Sequence, residues 1–335
     1  MTTTAPDAPA DAPADAPAHP ADPFALAPIP AGAGRVVVLT GASTGIGFAT
    51  ATRLAARGDY VFAGVRRPEH AARLLDATRG ARGRAQPLLL DICDPAQVRA
   101  AAALVEGALR DAARPTLCAL MNNAGVALGG PLLELDLGVL REQLEVNVTA
   151  QLGVVQAFAP LLGARVGAAL GPRGPGRVIQ VSSISGVRAM PFVGPYTASK
   201  FALEGLCDSL RMELLPYGVD VIVVQPGPIS TEIWDKAPTP EESPFVGSPY
   251  ERALRRFHKI FVEGGKRGLP PERIAEVMEV ALDARRPKPR YVKTPSPLTR
   301  YWLPRLTPTR RFDRLIAGVL GLQPMRFHRG EGEGR

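Results

Sequence analysis

Cysteine is scarce: the chain has three in 335 residues, Cys93, Cys118 and Cys207. Three cannot form a disulfide framework, and their spacing matches no zinc pattern. They read as reduced thiols of a cytoplasmic protein, packed as small apolar groups. Histidine is also sparse. His19, His70, His258 and His328 form no cluster, so no metal is expected. No run of about 18 uncharged apolar residues occurs, the length a membrane-spanning helix needs. What the chain does have is a globular balance, 46% hydrophobic and 21% charged. That excludes a disordered or collagen-like polymer.

Charge is unevenly placed along a chain of net +8. Residues 1–34 hold four acids, Asp7, Asp11, Asp15 and Asp22, and neither Lys nor Arg. This Ala/Pro/Asp-rich stretch has almost nothing to bury, so it reads as a disordered arm. It lacks the basic start and apolar stretch of a secretory signal. Residues 285–335 hold 13 basic and 3 acidic residues, so the high pI belongs to this end. A basic end is either a solubilising surface or a contact for acidic lipid or nucleic acid. No nucleic-acid module is recognisable, and no nucleic-acid partner is expected. The run YWLPRLTPTRRFDRLIAGVLGL mixes apolar and basic residues. It is either a helix docked on the body or a peripheral membrane contact. Docking is the simpler reading, because its prolines shorten any continuous amphipathic helix.

Between these ends the chain alternates. RVVVLT at 35–40, DYVFAGV at 59–65, QPLLLDI at 86–92, TLCALMNNAG at 116–125, GRVIQVSS at 176–183, VDVIVVQPG at 219–227 and PRYVK at 289–293 read as strands. Segments of helical spacing separate them, and Gly58 and Gly218 stand where helices should stop. The pattern predicts an α/β fold: a single doubly wound, Rossmann-type domain over 35–322. Its parallel sheet would have about seven strands, with helices on both faces. Residues 323–335 read as a flexible tail.

Gly41, Gly45 and Gly47 lie in TGASTGIG, between the first strand and its helix. A dinucleotide pyrophosphate needs a tight turn there, close backbone approach and helix N–H groups aimed at the anion. An ordinary glycine turn is the alternative, but the strand–loop–helix context is the one a dinucleotide requires. At the end of the second strand an acid would bind a ribose 2′-OH. Val65 stands there instead, followed by Arg66 and Arg67. A guanidinium at that point suits a 2′-phosphate, which predicts NADP(H) over NAD(H) unless both arginines face solvent. Asp91, ending the third strand, either accepts from the adenine amino group or caps a turn. Asn122 and Gly125 leave the fourth strand at the edge where open sheets bind ligands.

Tyr196 and Lys200 are four apart on a helix and so share a face. A free phenol has a pKa near 10 and is a poor acid–base catalyst at neutral pH. A neighbouring ammonium should lower it. Ser183 ends the fifth strand, where its hydroxyl can meet a substrate oxygen beside the tyrosine.

These residues give the chain its resemblance. TGASTGIG, NNAG at 122–125, Asn147 in EVNVTA, Ser183 in VSSISG, YTASK at 196–200 and PGPIST at 226–231 resemble the short-chain dehydrogenase/reductase family over roughly 35–300. The run YTASKFALEGLCDSLRMEL is further similar to the 17β-hydroxysteroid and retinol dehydrogenase branch. The resemblance implies hydride transfer with Tyr196 as acid or base, Lys200 on the nicotinamide ribose and Ser183 orienting the carbonyl. It implies that Asn147 holds a water linking Lys200 to solvent. Without it, a helix-interior asparagine bonding locally is the plainer reading. Family spacing favours Ser183 over Ser182. The resemblance further implies that Gly41, Ser43, Thr44, Gly45, Ile46 and Gly47 hold the cofactor with Arg66, Asp91 and Ile92. Asn123, Ala124 and Gly125 line it from the next loop. Pro226, Gly227, Ile229 and Thr231 shape its nicotinamide end with Tyr196 and Lys200.

The segment at about 228–268 reads as a lid, because long loops are usually functional or mobile. Trp234 within it is a candidate substrate contact beside Ser183 and Tyr196, or merely packs the lid. Arg188–Pro195 would form the opposite wall. The expected substrate is a small hydrophobic alcohol or carbonyl compound, steroid-, retinoid- or lipid-like. The resemblance also implies a homodimer or homotetramer. Three rival readings stand beside this one. A ketoreductase of bacterial secondary metabolism shares the same residues. A dinucleotide sensor without turnover would tend to lack Tyr196 or Lys200. A nucleic-acid or membrane binder would act through the basic end.

Overall fold

The computed structural model describes residues 22–322. Seven parallel strands form one sheet in the order β3-β2-β1-β4-β5-β6-β7. They are β1 Val36–Leu39, β2 Tyr60–Val65, β3 Arg84–Leu89, β4 Ala119–Asn122, β5 Arg177–Val181, β6 Asp220–Pro226 and β7 Arg290–Lys293. The crossovers carry α1 Gly45–Arg57, α2 Pro68–Ala77, α3 Pro95–Asp111, α4 Leu137–Leu144, α5 Ala150–Phe158 and α6 Gly194–Glu213. Between β6 and β7 lie α7 Glu251–Phe257, α8 Glu263–Lys266 and α9 Glu272–Asp283, and after β7 come α10 Leu303–Leu306 and α11 Thr309–Leu320.

The central strands are buried on both faces, as near-continuous Val/Leu/Ile runs in parallel sheets require. Side chains alternate between the faces. Val36, Val38, Phe62 and Leu120 pack under α3, α5 and α6. Val37, Leu39, Ala63 and Met121 pack under α1, α2 and α9. Gly58 ends α1 at φ 108° and Gly218 closes the turn after α6 at φ 65°, both left-handed conformations that a Cβ disfavours. The chain runs β1 to β3 toward one edge, then returns to β4 beside β1. That reversal opens a crevice above the carboxyl ends of β1 and β4.

Three places differ from the expectation. Residues 22–34 are not an unanchored arm. Ile29 is buried, Ala27 N–H donates to Gln86 Oε1 at 3.2 Å, Gln86 Nε2 donates to the Ala25 carbonyl at 3.1 Å, and the Tyr60 hydroxyl donates to the Ala27 carbonyl. The rest of the arm, 1–21, and the tail at 323–335 lie outside the described residues. Strand β3 stops at Leu89, so Asp91 falls in the turn beyond it. The helix over 140–158 is interrupted by a wide turn at Glu145–Thr149 with Asn147 at its middle, a local widening common at functional sites. The C-terminal run docks on the body through α10 and α11, the simpler of its two readings. Arg188 stacks over Phe312 at 4.3 Å and donates to the Thr307 carbonyl at 2.9 Å.

Candidate active site

The glycine loop leaves β1 directly into the crevice. Gly41 holds φ +66°, and a Cβ there would lie 2.7 Å from the Ala124 Cα. Gly47 is packed harder still, since its Cβ would lie 2.0 Å from the Gly41 carbonyl oxygen. The loops of β1 and β4 are pinned together. The Thr40 hydroxyl accepts from Asn123 N–H and Ala124 N–H, both at 3.0 Å, and Asn123 Nδ2 donates to the Gly41 carbonyl at 3.0 Å. The Thr231 side chain rests against Gly45 from the far wall, where a Cβ would lie 2.9 Å from its methyl group. Ile229 is buried just before it, and Gly227 N–H donates to the Lys293 carbonyl at 2.8 Å. The structure thus brings residues 41–47, 123–125 and 227–231 to one crevice.

These residues fit a dinucleotide. Helix α1 starts with no acid in its first turn, and its N-cap Thr44 makes no side-chain hydrogen bond, so its leading N–H groups remain for an anion. Arg66 is two-thirds exposed at the end of β2, held only loosely at 3.8 Å from Asp91. Asp91 itself caps its turn by accepting from Cys93 N–H at 3.0 Å, the capping alternative of the sequence reading. Ile92 beside it is buried.

Ser183, Tyr196 and Lys200 converge at the ends of β5 and α6. Ser183 begins a tight turn after β5, its Oγ accepting from Ser185 N–H at 3.1 Å. The same hydroxyl shares a hydrogen bond with the Tyr196 phenol. The Ser182 hydroxyl is buried without a hydrogen-bond partner. Lys200 is buried, lies 5.7 Å from the centre of the Tyr196 ring, and donates to the Val181 carbonyl at 3.0 Å. Burial lowers its pKa from the usual 10.5 to about 8, against the opposing pull of Glu204. Burial raises the phenol, and the Ser183 hydrogen bond pulls it back down. The expected lysine-driven depression of the phenol is therefore corrected. Desolvation dominates, and the direct downward pull comes from Ser183.

Asn147 is also buried, and its bonds are not local. Its Oδ1 accepts from Val126 N–H at 3.0 Å, and its Nδ2 donates to the Val126 carbonyl at 2.9 Å and to Ser199 Oγ at 3.1 Å. Ser199 in turn donates to the Tyr196 carbonyl at 2.7 Å. Asn147 thus ties the β4 loop to the helix that carries Tyr196 and Lys200.

The segment at 228–268 packs against Phe192 through aromatic side chains. Phe192 holds φ +66° and packs edge-on against Phe257 at 5.8 Å and Tyr250 at 6.1 Å between ring centres. Trp234 is committed to packing within that segment. Its Nε1 donates to the Ile229 carbonyl at 2.6 Å, and its ring lies against Gly265 of α8. Sequence reasoning missed Thr40, Ser199 and Glu204. Thr40 and Ser199 lie within the quoted motifs TGASTGIG and YTASK, and Glu204 continues the four-residue step of Tyr196 and Lys200 along α6.

A family model described as short chain dehydrogenase matches residues 35–242. The chain is 38% identical over 282 residues to an NADPH-dependent 3-dehydrocapnine reductase of Ornithobacterium rhinotracheale, covering 84% of this chain and 96% of that one. It is 35% identical over 279 residues to human 17-beta-hydroxysteroid dehydrogenase type 1, covering 77% of each. Among solved structures, a short chain dehydrogenase/reductase from Burkholderia phymatum in complex with NAD superposes with a TM-score of 0.64 at 27% identity, covering 81% of this chain and 93% of that one.

Proposed function

This chain belongs to the short-chain dehydrogenase family, and from that premise we propose that it is an NADP(H)-dependent oxidoreductase interconverting a hydrophobic alcohol with its ketone or aldehyde. The observation that carries the reading is the convergence of Ser183, Tyr196 and Lys200 at the ends of β5 and α6, with the Lys200 ammonium 5.7 Å from the centre of the phenol ring.

The nicotinamide, when bound, supplies or accepts the hydride. Gly41, Gly45, Gly47 and the start of α1 would hold the pyrophosphate, and Arg66 the 2′-phosphate. Ser183 holds the carbonyl oxygen at the phenol. Tyr196 gives that oxygen its proton in reduction and takes it back in oxidation. Such positioned proton transfer contributes about 10²–10⁴-fold in rate. Protonated at neutral pH, as any phenol is, Tyr196 is suited to donate in reduction. The buried ammonium of Lys200 stabilises charge that develops on the phenolic oxygen in transfer.

Two supports bear on the cofactor. The 38% identical relative is NADPH-dependent by name, whereas the 27% identical structure holds NAD. The fold takes either, so the residues after β2 decide, and here they are Arg66 and Arg67. The aromatic contacts around Phe192 support an apolar substrate. That relative is also a reductase by name, which favours a ketone of specialised metabolism within this class. The exposed Leu132, Leu133 and Leu137 at the start of α4 support a homo-oligomer. The test is Tyr196→Phe against a panel of apolar ketones, followed by NADPH absorbance. Turnover should fall at least about 10²-fold while NADPH still protects the variant against thermal unfolding. Near-normal turnover would refute the proton-transfer role.

A further inference from the structure

The C-terminal arm presents apolar side chains that neither the core nor the active site uses. In the helical stretch 298–306, Leu298, Trp302 and Leu306 recur every four residues and share one side. Leu306 is 75% exposed and Trp302 50%. Tyr301 turns inward instead, donating to Gln225 Oε1 at 3.2 Å. Thr307 and Pro308 lead directly into α11, where Phe312 and Leu320 are buried. Beside that buried stripe lie Leu315, 62% exposed, and Val319.

Charge says what these side chains meet. Residues 298–322 hold five exposed arginines, Arg300, Arg305, Arg310, Arg311 and Arg314, against one acid, Asp313. On α11, 100° per residue places Arg311 and Arg314 next to the Leu315–Val319 margin. We propose that this arm is an in-plane binding face for an anionic lipid bilayer, with Trp302, Leu306 and Leu315 entering the boundary between headgroups and acyl chains and the arginines meeting lipid phosphates. No helix among the described residues is long and apolar enough to cross a membrane, so the contact is peripheral. A second copy of the chain fits worse. A two-fold contact sets each patch against itself, placing arginine opposite arginine. Nucleic acid would neutralise the arginines but leave the leucines and Trp302 in water.

The face is joined to the lid. Leu320 of α11 packs with Phe192 and Ala253, so an apolar molecule leaving the bilayer would meet the lid first. That consequence rests on the apolar-substrate reading above; the membrane contact does not.

The experiment is co-sedimentation of the full chain with vesicles of phosphatidylcholine, alone or mixed with phosphatidylglycerol. The chain should pellet with the mixed vesicles and not with the neutral ones, and high salt should release it. The triple variant W302S/L306S/L315S should partition at least about tenfold more weakly, since each lost apolar side chain removes burial worth about that factor. Its melting temperature guards against misfolding. A second variant, R310Q/R311Q/R314Q, tests the same face without touching the apolar residues and should also bind more weakly. Failure to pellet with anionic vesicles, or pelleting that both variants leave unchanged, overturns the proposal. So does preference for DNA over vesicles, or loss of self-association in the triple variant without vesicle binding in the wild type. The assay reads no turnover, so its failure leaves the catalytic reading standing.

Discussion

Burying an ammonium has a measurable cost, and Lys200 is where this protein bears it. Its pKa falls from 10.5 to about 8. Below pH 8 both folded and unfolded chains carry the proton, and the full penalty, about 3 kcal/mol, weighs on the folded state. As pH rises from 8 to 10.5 the folded chain releases its proton before the unfolded one, so this penalty is relieved. Linkage gives a gain on the order of 2–3 kcal/mol for the wild type between pH 7 and pH 10. Lys200→Met has no proton to lose. The stability difference, wild type minus variant, should therefore rise by about that amount over the interval, measured by urea unfolding of the two proteins without nucleotide. Tyr60 and Cys207, whose pKa values burial raises to about 12, work in the opposite sense and lose stability as pH rises. Tyr60 is present in both proteins and cancels in the difference; Cys207 interacts with Lys200, so Cys207→Ala is introduced into both proteins before the comparison. A flat difference, or one that falls with pH, would refute the argument that desolvation dominates at Lys200.

Two further substitutions probe the cofactor crevice. Arg66→Ala should weaken NADPH binding by about tenfold or more, the worth of one charge-assisted contact to phosphate, and leave NADH binding unchanged in a fluorescence titration. Equal losses for both nucleotides would remove Arg66 from the 2′-phosphate site. Gly47→Ala puts a methyl group 2.0 Å from the Gly41 carbonyl oxygen. It should abolish the rise in melting temperature that NADPH gives the parent, and an undiminished rise would show that the loop can shift to admit the methyl.

Much of the fold is written in contacts between near neighbours. The β-branched runs of β1, β2 and β6 and the glycines at 58 and 218 obey rules that act over a few residues, and the structure follows them. Tyr196 and Lys200 were legible for the same reason, because a helix fixes what lies four residues away. The differences sit where the deciding partner is far along the chain. Ala25 and Ala27 are held by Gln86, some sixty residues on. Trp234 found its ring's place on Gly265.

The sequence by itself determined the alternation of strand and helix, the glycine loop and the spacing of the tyrosine and lysine, since periodicity and local backbone sterics suffice for those. Only the tertiary structure decided that Asn147 reaches Val126 and Ser199, that the phenol is raised rather than lowered, and that the C-terminal helices dock with their leucines outward. Each of those depends on burial and on the company a side chain keeps. Desolvation and hydrogen bonding are set by atoms that the chain brings together only once it has folded.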